Sequence, residues 1–372
     1  MKPLRAVLTA LILAAAAHAG NLPPVQTVFV ILLENHNWAD FKGSVDAPFI
    51  NGALLPMASY CEQYFNPPGL HPSEPNYLWL EAGTNFGILD DNNPSANHQN
   101  TTNHLAAQLR RAGILWKTYQ EDIAGNVVPL TAINGYTPRH NPFVYFDDMT
   151  GTNDPNDAYG LAHIRPYSEL AGDLTNNSIA RYNFITPNLC NDGHDTCAPQ
   201  NNPVRQTDDW LAGEVPKILN SAAYSNNGAL FITWDEGEGG SGDGPIGMIL
   251  LSPLARGGGY FNNIYYTHSS FVRTMQEIFC VSPWLGDAAN AADLSDLFMQ
   301  MTLRSTGINS NGAFCMNVSG VLPGTTNFVE ASTNLTVWGI ISTNSSSSNS
   351  FFFKDHKATN HHRQFYRVRQ AP

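Results

Sequence analysis

Two segments of this chain each run directly from an unbroken apolar stretch into a cluster of ligating groups, and that repetition constrains the fold most. In the first, Val28-Phe-Val-Ile-Leu-Leu33 is followed by Glu34, Asn35 and His36; in the second, Ala229-Leu-Phe-Ile-Thr-Trp234 leads into Asp235-Glu236-Gly237-Glu238-Gly239-Gly240. Short apolar runs rich in β-branched and aromatic residues read as strands buried on both faces, as in a parallel sheet. Open α/β sheets bind ligands beyond the carboxyl ends of their strands, where both polar clusters fall. Adjacent buried carboxylates repel one another unless a cation compensates, and oxygen-rich groups delivered by two strand ends suit a divalent metal. Either segment alone also reads as a strand with a polar turn; the two together favour a metal site.

Between them lies His71-Pro-Ser-Glu-Pro-Asn-Tyr77. Pro72 and Pro75 fix the backbone around Ser73, which suits a turn presenting a hydroxyl at the start of a helix. A helix amino terminus offers free N–H groups and a positive dipole end to an anion such as phosphate. Ser73 reads equally well as a plain N-cap, with Asn76 in the first turn. Beside a metal, its hydroxyl would become a nucleophile.

Glu34-Asn35-His36, the Pro-Ser-Glu-Pro-Asn-Tyr turn, Asn191-Asp192-Gly193-His194, Trp234-Asp235-Glu236-Gly237 and Thr267-His268-Ser269-Ser270 occur in that order. Over roughly residues 25 to 300 the chain thereby resembles the secreted phosphoesterases, bacterial acid phosphatases and phosphatidylcholine-type phospholipases C of the alkaline-phosphatase-like superfamily. The resemblance implies Glu34, Asn35, Asp235 and Glu236 as metal ligands and Ser73 as nucleophile. It also implies a pocket lined by His140, Asp192, His194 and His268, with His194 or His268 as proton donor. His140, Asp192 and Asn76 are the expected substrate contacts. Related diesterases separate an Asp and a His ligand by three residues, whereas Asp192 and His194 are separated by one. One metal, zinc, calcium or iron, is therefore expected rather than two. His140 also reads as a capping residue of a proline-rich loop, and His268 as a residue preceding a helix. No Gly-x-Ser-x-Gly elbow surrounds a serine, which argues against a Ser-His-Asp hydrolase.

Residues 1 to 19 combine Lys2 and Arg5, an apolar stretch from Ala6 to Ala17 and the ending Ala17-His18-Ala19, the pattern of a cleavable signal peptide. A secreted or periplasmic location follows, and no later apolar run reaches the length of a membrane span. The formal net charge of −12 disfavours nucleic acid or an anionic membrane as electrostatic partner. A phosphate ester is still compatible, because a metal ion reverses the local field. Five cysteines in an exported chain suggest disulfides. Pairing Cys190 with Cys197 would fix the loop carrying Asp192 and His194.

Helical periodicity over His104–Ala112, Asp208–Ala222 and Ser269–Phe279, alternating with apolar strands that include Ile249–Pro253, predicts an α/β catalytic domain over residues 20–306. Its expected core is a doubly wound, mostly parallel sheet with helices on both faces. Over residues 307–372 a linker rich in turn residues, from Gly312 to Asn327, precedes a small C-terminal β module of four or five strands. That module is a candidate for cell-surface attachment. His361-His362 reads as a solvated loop. A monoesterase needs positive groups for a dianion, whereas a diesterase or phospholipase needs an apolar groove, for which Trp38, Phe41, Tyr77, Trp79, Phe143 and Tyr145 are candidates. The sequence thus favours a phosphomonoesterase acting through a phosphoserine, with a phospholipase C-type diesterase or a non-catalytic surface-binding protein as alternatives.

Overall fold

The computed structural model describes residues 22–239, 242–361 and 363–371. The expected signal peptide and His362 lie outside the described residues. Sixteen strands are formed: β1 Thr27–Leu33, β2 Ser59–Cys61, β3 Tyr64–Phe65, β4 Trp116–Gln120, β5 Ile164–Pro166, β6 Tyr182–Thr186, β7 Gly228–Trp234, β8 Met248–Leu251, β9 Tyr260–Asn262, β10 Tyr266–Thr267, β11 Thr302–Ile308, β12 Phe314–Ser319, β13 Thr326–Ser332, β14 Gly339–Ser345, β15 Ser350–Asp355 and β16 Phe365–Gln370.

Eight of them build the main sheet in the order β5-β4-β6-β1-β7-β8-β2-β9. All its neighbours pair in parallel except those of β8, which runs against β7 and β2. Every residue of β1 and β7 is buried, so both faces of the sheet centre are covered. One group of mutually packed helices comprises Ser73–Ala82, Leu105–Arg111 and His268–Phe279; Pro203–Leu219 packs separately with Ala222–Ser225. The mostly parallel, helix-covered sheet expected from the apolar runs is therefore present. Among the described residues no helix is long and apolar enough to cross a membrane.

The register of the central pair sets up the site. Leu33 lies opposite Trp234, so the next residues, Glu34 and Asp235, leave the sheet side by side. The Asp235 amide donates to Leu33 O at 2.9 Å, prolonging the ladder by one bond.

The C-terminal module consists of two three-stranded antiparallel sheets, β11-β12-β15 and β14-β13-β16. They share a small core of Met316, Val318, Val321, Val329 and Phe353, onto which Tyr366 stacks against Phe314. Six strands form where four or five were expected. β12 falls inside the stretch read as turn-rich, although Phe314, Met316 and Val318 alternate as a half-buried strand does. All seven residues of β11 are exposed, so that strand has no burial pattern to read.

Candidate active site

Glu34 is fully buried at the end of β1. Its Oε2 accepts from Ser73 Oγ at 3.0 Å, and its Oε1 accepts a short hydrogen bond from the Tyr77 hydroxyl. Ser73 and Tyr77 stand four residues apart on the helix that begins at Ser73, so both side chains project on the same face toward Glu34. The carboxyl end of β1 and the amino end of this helix therefore meet at one carboxylate.

Asp235 and Glu236 stand beside Glu34. The Asn35 amide, held at a φ of +43°, donates to Asp235 Oδ1 at 3.1 Å. The Asn35 side chain faces two carboxylates: with its nitrogen toward them it donates to Glu34 Oε2 at 3.3 Å and Glu236 Oε1 at 3.1 Å. In the other orientation its oxygen confronts the same acceptors, an arrangement that only a cation between them satisfies. Asp192 closes the group from the loop after β6. The Glu34 amide donates to Asp192 O at 2.9 Å, tying that loop to the end of β1.

His140 lies between two of these acids, with Nε2 3.3 Å from Glu34 Oε2 and Nδ1 3.2 Å from Asp192 Oδ2. Its ring stacks on Tyr77 at 5.2 Å. Glu34, His140 and Asp192 each offer a ligand atom within 4.8 Å of the others. Of the four expected metal ligands only Glu34 belongs to this trio; Asn35, Asp235 and Glu236 flank it.

Four buried carboxylates in contact are costly without a cation. Burial, with the charges of Asp235 and Asp192, pushes Glu34 well above the usual carboxylate range, and burial does the same to Asp192. Burial raises Asp235 to about 6; burial and the Asp235 charge push Glu236 up to about 10. Burial holds His140 well below its ordinary value, so its imidazole is neutral and able to ligate. His140 Nε2, Asp192 Oδ2 and Asp235 Oδ2 are buried without any hydrogen-bond partner. Unpartnered atoms on a neutral imidazole and on carboxylates, with Glu34, His140 and Asp192 within 4.8 Å of one another, fit a divalent metal.

The other expected site residues serve different ends. Asn76 is buried and its Nδ2 is spent on Leu70 O, Pro72 O and Glu236 Oε2, the last at 2.9 Å, so it anchors Glu236. His268 is fully buried behind Asp235, with Nε2 2.5 Å from Asp235 O and Nδ1 3.1 Å from the Tyr64 hydroxyl. Both ring nitrogens are thus engaged, and burial lowers its pKa to about 4. It braces the Asp235 backbone and presents no free nitrogen to a substrate. His194 is 27% exposed, with Nδ1 2.8 Å from Asp195 Oδ1.

Gly193, between Asp192 and His194, has a φ of +99°, and a Cβ there would meet Thr207 Oγ1 at 2.8 Å. That tight turn lets the Asp192 carboxylate accept from the His194 amide at 2.8 Å while the two side chains diverge. The expected disulfide is formed between Cys190 and Cys197 and closes this loop.

Three contributors escaped the sequence reading. Tyr77 was assigned to an apolar groove but hydrogen-bonds Glu34; its spacing of four from Ser73 was the available signal. His71 sits between Glu236 Oε2, at 2.8 Å, and Asp243 Oδ2, at 2.9 Å. Arg139 reaches His194 Nε2 at 3.3 Å. The expected aromatic groove does not exist as such, because Trp38, Phe41, Tyr77, Phe143 and Tyr145 are core residues. Trp79 alone of the six borders a surface cavity, alongside Pro67, Leu70 and Tyr265. Aromatic residues next to strands filled the interior because that is where the most apolar area leaves water.

The sequence pattern of the phosphoesterase family matches residues 53–282. The chain belongs to the phosphoesterase family. Ser73, His140, Asp192, His194, Asp235, Glu236 and His268 fall inside the matched region, and Glu34 and Asn35 precede it. Among relatives of this phosphoesterase, the phosphatidylinositol-3-phosphatase of Mycobacterium tuberculosis is 28% identical over 280 residues, covering 75% of this chain and 85% of that one. The acid phosphatase of Aspergillus niger is 30% identical over 217 residues, 55% of this chain and 48% of its own length. This chain thus spans about half the length of that fungal relative. A solved protein of the alkaline phosphatase superfamily from Vibrio parahaemolyticus superposes with a TM-score of 0.46 at 10% identity, covering 87% of this chain and 83% of the other.

Proposed function

We propose that this phosphoesterase is a secreted, metal-dependent phosphomonoesterase that works through a phosphoserine. The observation that carries the reading is that Ser73 Oγ, unpartnered Asp235 Oδ2 and the Glu34–His140–Asp192 trio gather at the adjacent carboxyl ends of β1 and β7. Glu34, Asn35, Asp235 and Glu236, with His140 and Asp192 closing the other side, would hold the metal. When bound it supplies charge for the phosphoryl oxygens and acidifies the serine hydroxyl.

Glu34 orients Ser73, whose hydroxyl already points its proton at Oε2. Ser73 Oγ attacks phosphorus as the ester oxygen departs, and the serine proton is surrendered to the surrounding carboxylates. Tyr77 keeps Glu34 fixed through its second oxygen, leaving Oε2 for Ser73. His194 gives a proton from Nε2 to the departing oxygen and is left as the neutral imidazole, while Asp195 on Nδ1 holds the ring in place. Water then attacks phosphorus and gives a proton to His194; the P–Oγ bond breaks, phosphate leaves, and the carboxylates return the proton to Ser73 Oγ. The role of proton donor, first shared between His194 and His268, is given to His194 because its side chain is 27% exposed, whereas His268 is fully buried with both ring nitrogens engaged inside the protein.

Secretion is supported by the basic and apolar start of the chain and by the Cys190–Cys197 disulfide. The exposed Val337, Ile340, Ile341 and Phe352 of the C-terminal module are the surface that would serve cell-surface attachment. The relatives' names, acid phosphatase and phosphatidylinositol-3-phosphatase, support a monoester substrate here.

The test is elemental analysis of the purified chain together with turnover of p-nitrophenyl phosphate and bis-p-nitrophenyl phosphate. Wild type should contain a divalent metal and prefer the monoester. Ser73→Ala should keep the metal and lose activity by at least about 10³-fold, the scale of removing a nucleophile. Asp235→Ala should lose both. A metal-free wild type inactive on either ester would discard the proposal.

A further inference from the structure

Acidic groups dominate the site, so a phosphoryl dianion entering it needs protein cations as well as a metal. Among the described residues, no lysine or arginine other than Arg139 hydrogen-bonds or pairs with a residue of the site. Arg139 directly precedes His140 in a short 3₁₀ turn, Pro138–His140, so its position is fixed by a residue lodged between Glu34 and Asp192.

Two further contacts aim its guanidinium at the pocket rim. One Nη lies 3.3 Å from His194 Nε2, and Nε lies 3.7 Å from Asp91 Oδ2. Asp91 is itself pinned to the helix that starts at Ser73, accepting from the Glu74 amide at 2.9 Å. The guanidinium therefore lies between Asp91, which is tied to the amino end of the Ser73 helix, and His194.

Its hydrogen bonding is unfinished. Arginine carries five N–H donors, yet Arg139 Nε is buried with no hydrogen-bond partner, and the contact with Asp91 is long for an ion pair. The side chain as a whole remains 26% exposed, so the pocket can be reached by a solute. A planar fork with spare donors, next to a nucleophile and a proton donor, suits two oxygens of one phosphoryl group.

Resting on the phosphoesterase reading above, we infer that Arg139 binds the non-bridging oxygens of a dianionic phosphoryl group and thereby sets the preference of this site for monoesters over diesters. A monoester dianion places two charges on those oxygens, whereas a diester places one and fills the remaining position with a carbon substituent. Removing the cation therefore weakens the monoester more. His194 gains from the same event: once phosphate occupies the guanidinium, Nε2 is released for the departing oxygen.

The experiment compares metal-loaded wild type, Arg139→Met and Arg139→Lys as full-length chains. Turnover of p-nitrophenyl phosphate and bis-p-nitrophenyl phosphate is measured, and inorganic phosphate is titrated calorimetrically. For Arg139→Met we expect kcat/KM on the monoester to fall about 100-fold, that on the diester to fall less than about 5-fold, and phosphate to bind at least about 10-fold more weakly. Arg139→Lys, which keeps the charge but not the fork, should recover part of both losses. An equal fall on the two esters, or phosphate affinity unchanged in either folded variant, overturns the assignment. So does a wild type that binds no phosphate. If wild type hydrolyses neither ester yet binds phosphate through Arg139, the catalytic reading fails and this one stands. If hydrolysis is sound but phosphate affinity ignores Arg139, the reverse holds.

Discussion

Glu74 follows Ser73 and is buried, yet it lies on the opposite side from the metal-capable cluster. Asn97 Nδ2 donates to both of its oxygens, at 3.0 and 3.1 Å. Burial is the largest influence on its acidity, outweighing those hydrogen bonds and aided by Asp91 and Asp90, and it raises the pKa to about 9. The folded state therefore favours the protonated acid. That contribution to stability is complete below the ordinary value of 4.5 and is lost progressively as pH rises from there toward 9. Glu74→Gln imitates the protonated form, so variant and wild type should melt alike near pH 4.5. At pH 8 the variant should be more stable by about 2 kcal/mol, well below the full linkage value because the surroundings of a buried charge relax around it. Melting curves across that range check this, and a variant less stable at pH 8 would refute it. The contrast with Ser73, one residue earlier, shows how finely the helix start is divided: one side chain turns to the reacting centre, its neighbour to a neutral buried pair.

The Cys190–Cys197 loop is the element on which the site's geometry leans most. It carries Asp192, whose backbone carbonyl receives the Glu34 amide, and His194, whose side chain meets Arg139. Gln206 fastens it from the Pro203–Leu219 helix, accepting from the Cys197 amide and donating to Cys190 O at 2.7 Å. The disulfide closes a loop with a separation of seven residues, so its entropic effect on the unfolded chain is about 2 kcal/mol. Cys190→Ser with Cys197→Ser should lower stability by that order. Metal affinity should weaken as well, because Asp192 would no longer be held in register with Glu34. Denaturant titration and metal competition assays measure the two effects; a loss of stability with unchanged metal affinity would mean that Gln206 alone suffices to hold the loop. The pairing was legible in the sequence from the position of the cysteines around Asp192 and His194. The turn at Gly193 that makes the loop work was not, since its need for glycine comes from a φ of +99° and from the packing of Thr207 against it in the folded protein.

At the scale of the whole molecule, catalysis and the C-terminal module are spatially separate in their cores. The residues of the site run from Glu34 to His268, whereas the module closes its own small core around Val318 and Val329. Leu322 is the module's contribution to the main hydrophobic core. A chain ending at Gln300 should therefore keep its metal and its kcat/KM on p-nitrophenyl phosphate, at a cost in stability of about 1–2 kcal/mol for the lost Leu322 contact. Activity lost from a folded truncated chain would show that the module supports the site.

The apolar runs Val28–Leu33 and Ala229–Trp234, the second interrupted by Thr233, marked two buried strands by themselves, because short runs rich in β-branched and aromatic residues suit a parallel sheet covered on both faces. Their polar endings likewise located Glu34, Asn35, Asp235 and Glu236 at the sheet rim. What only the tertiary structure decided is the division of labour among residues far apart in the chain. His140 and Asp192 reach Glu34, and Arg139 reaches His194, through loops whose course is set by packing, and local periodicity carries no information about such contacts. The contacts of His268 and Asn76 are of the same kind: their nitrogens meet the Asp235 carbonyl and the Glu236 carboxylate, partners far away in the chain that no local pattern announces.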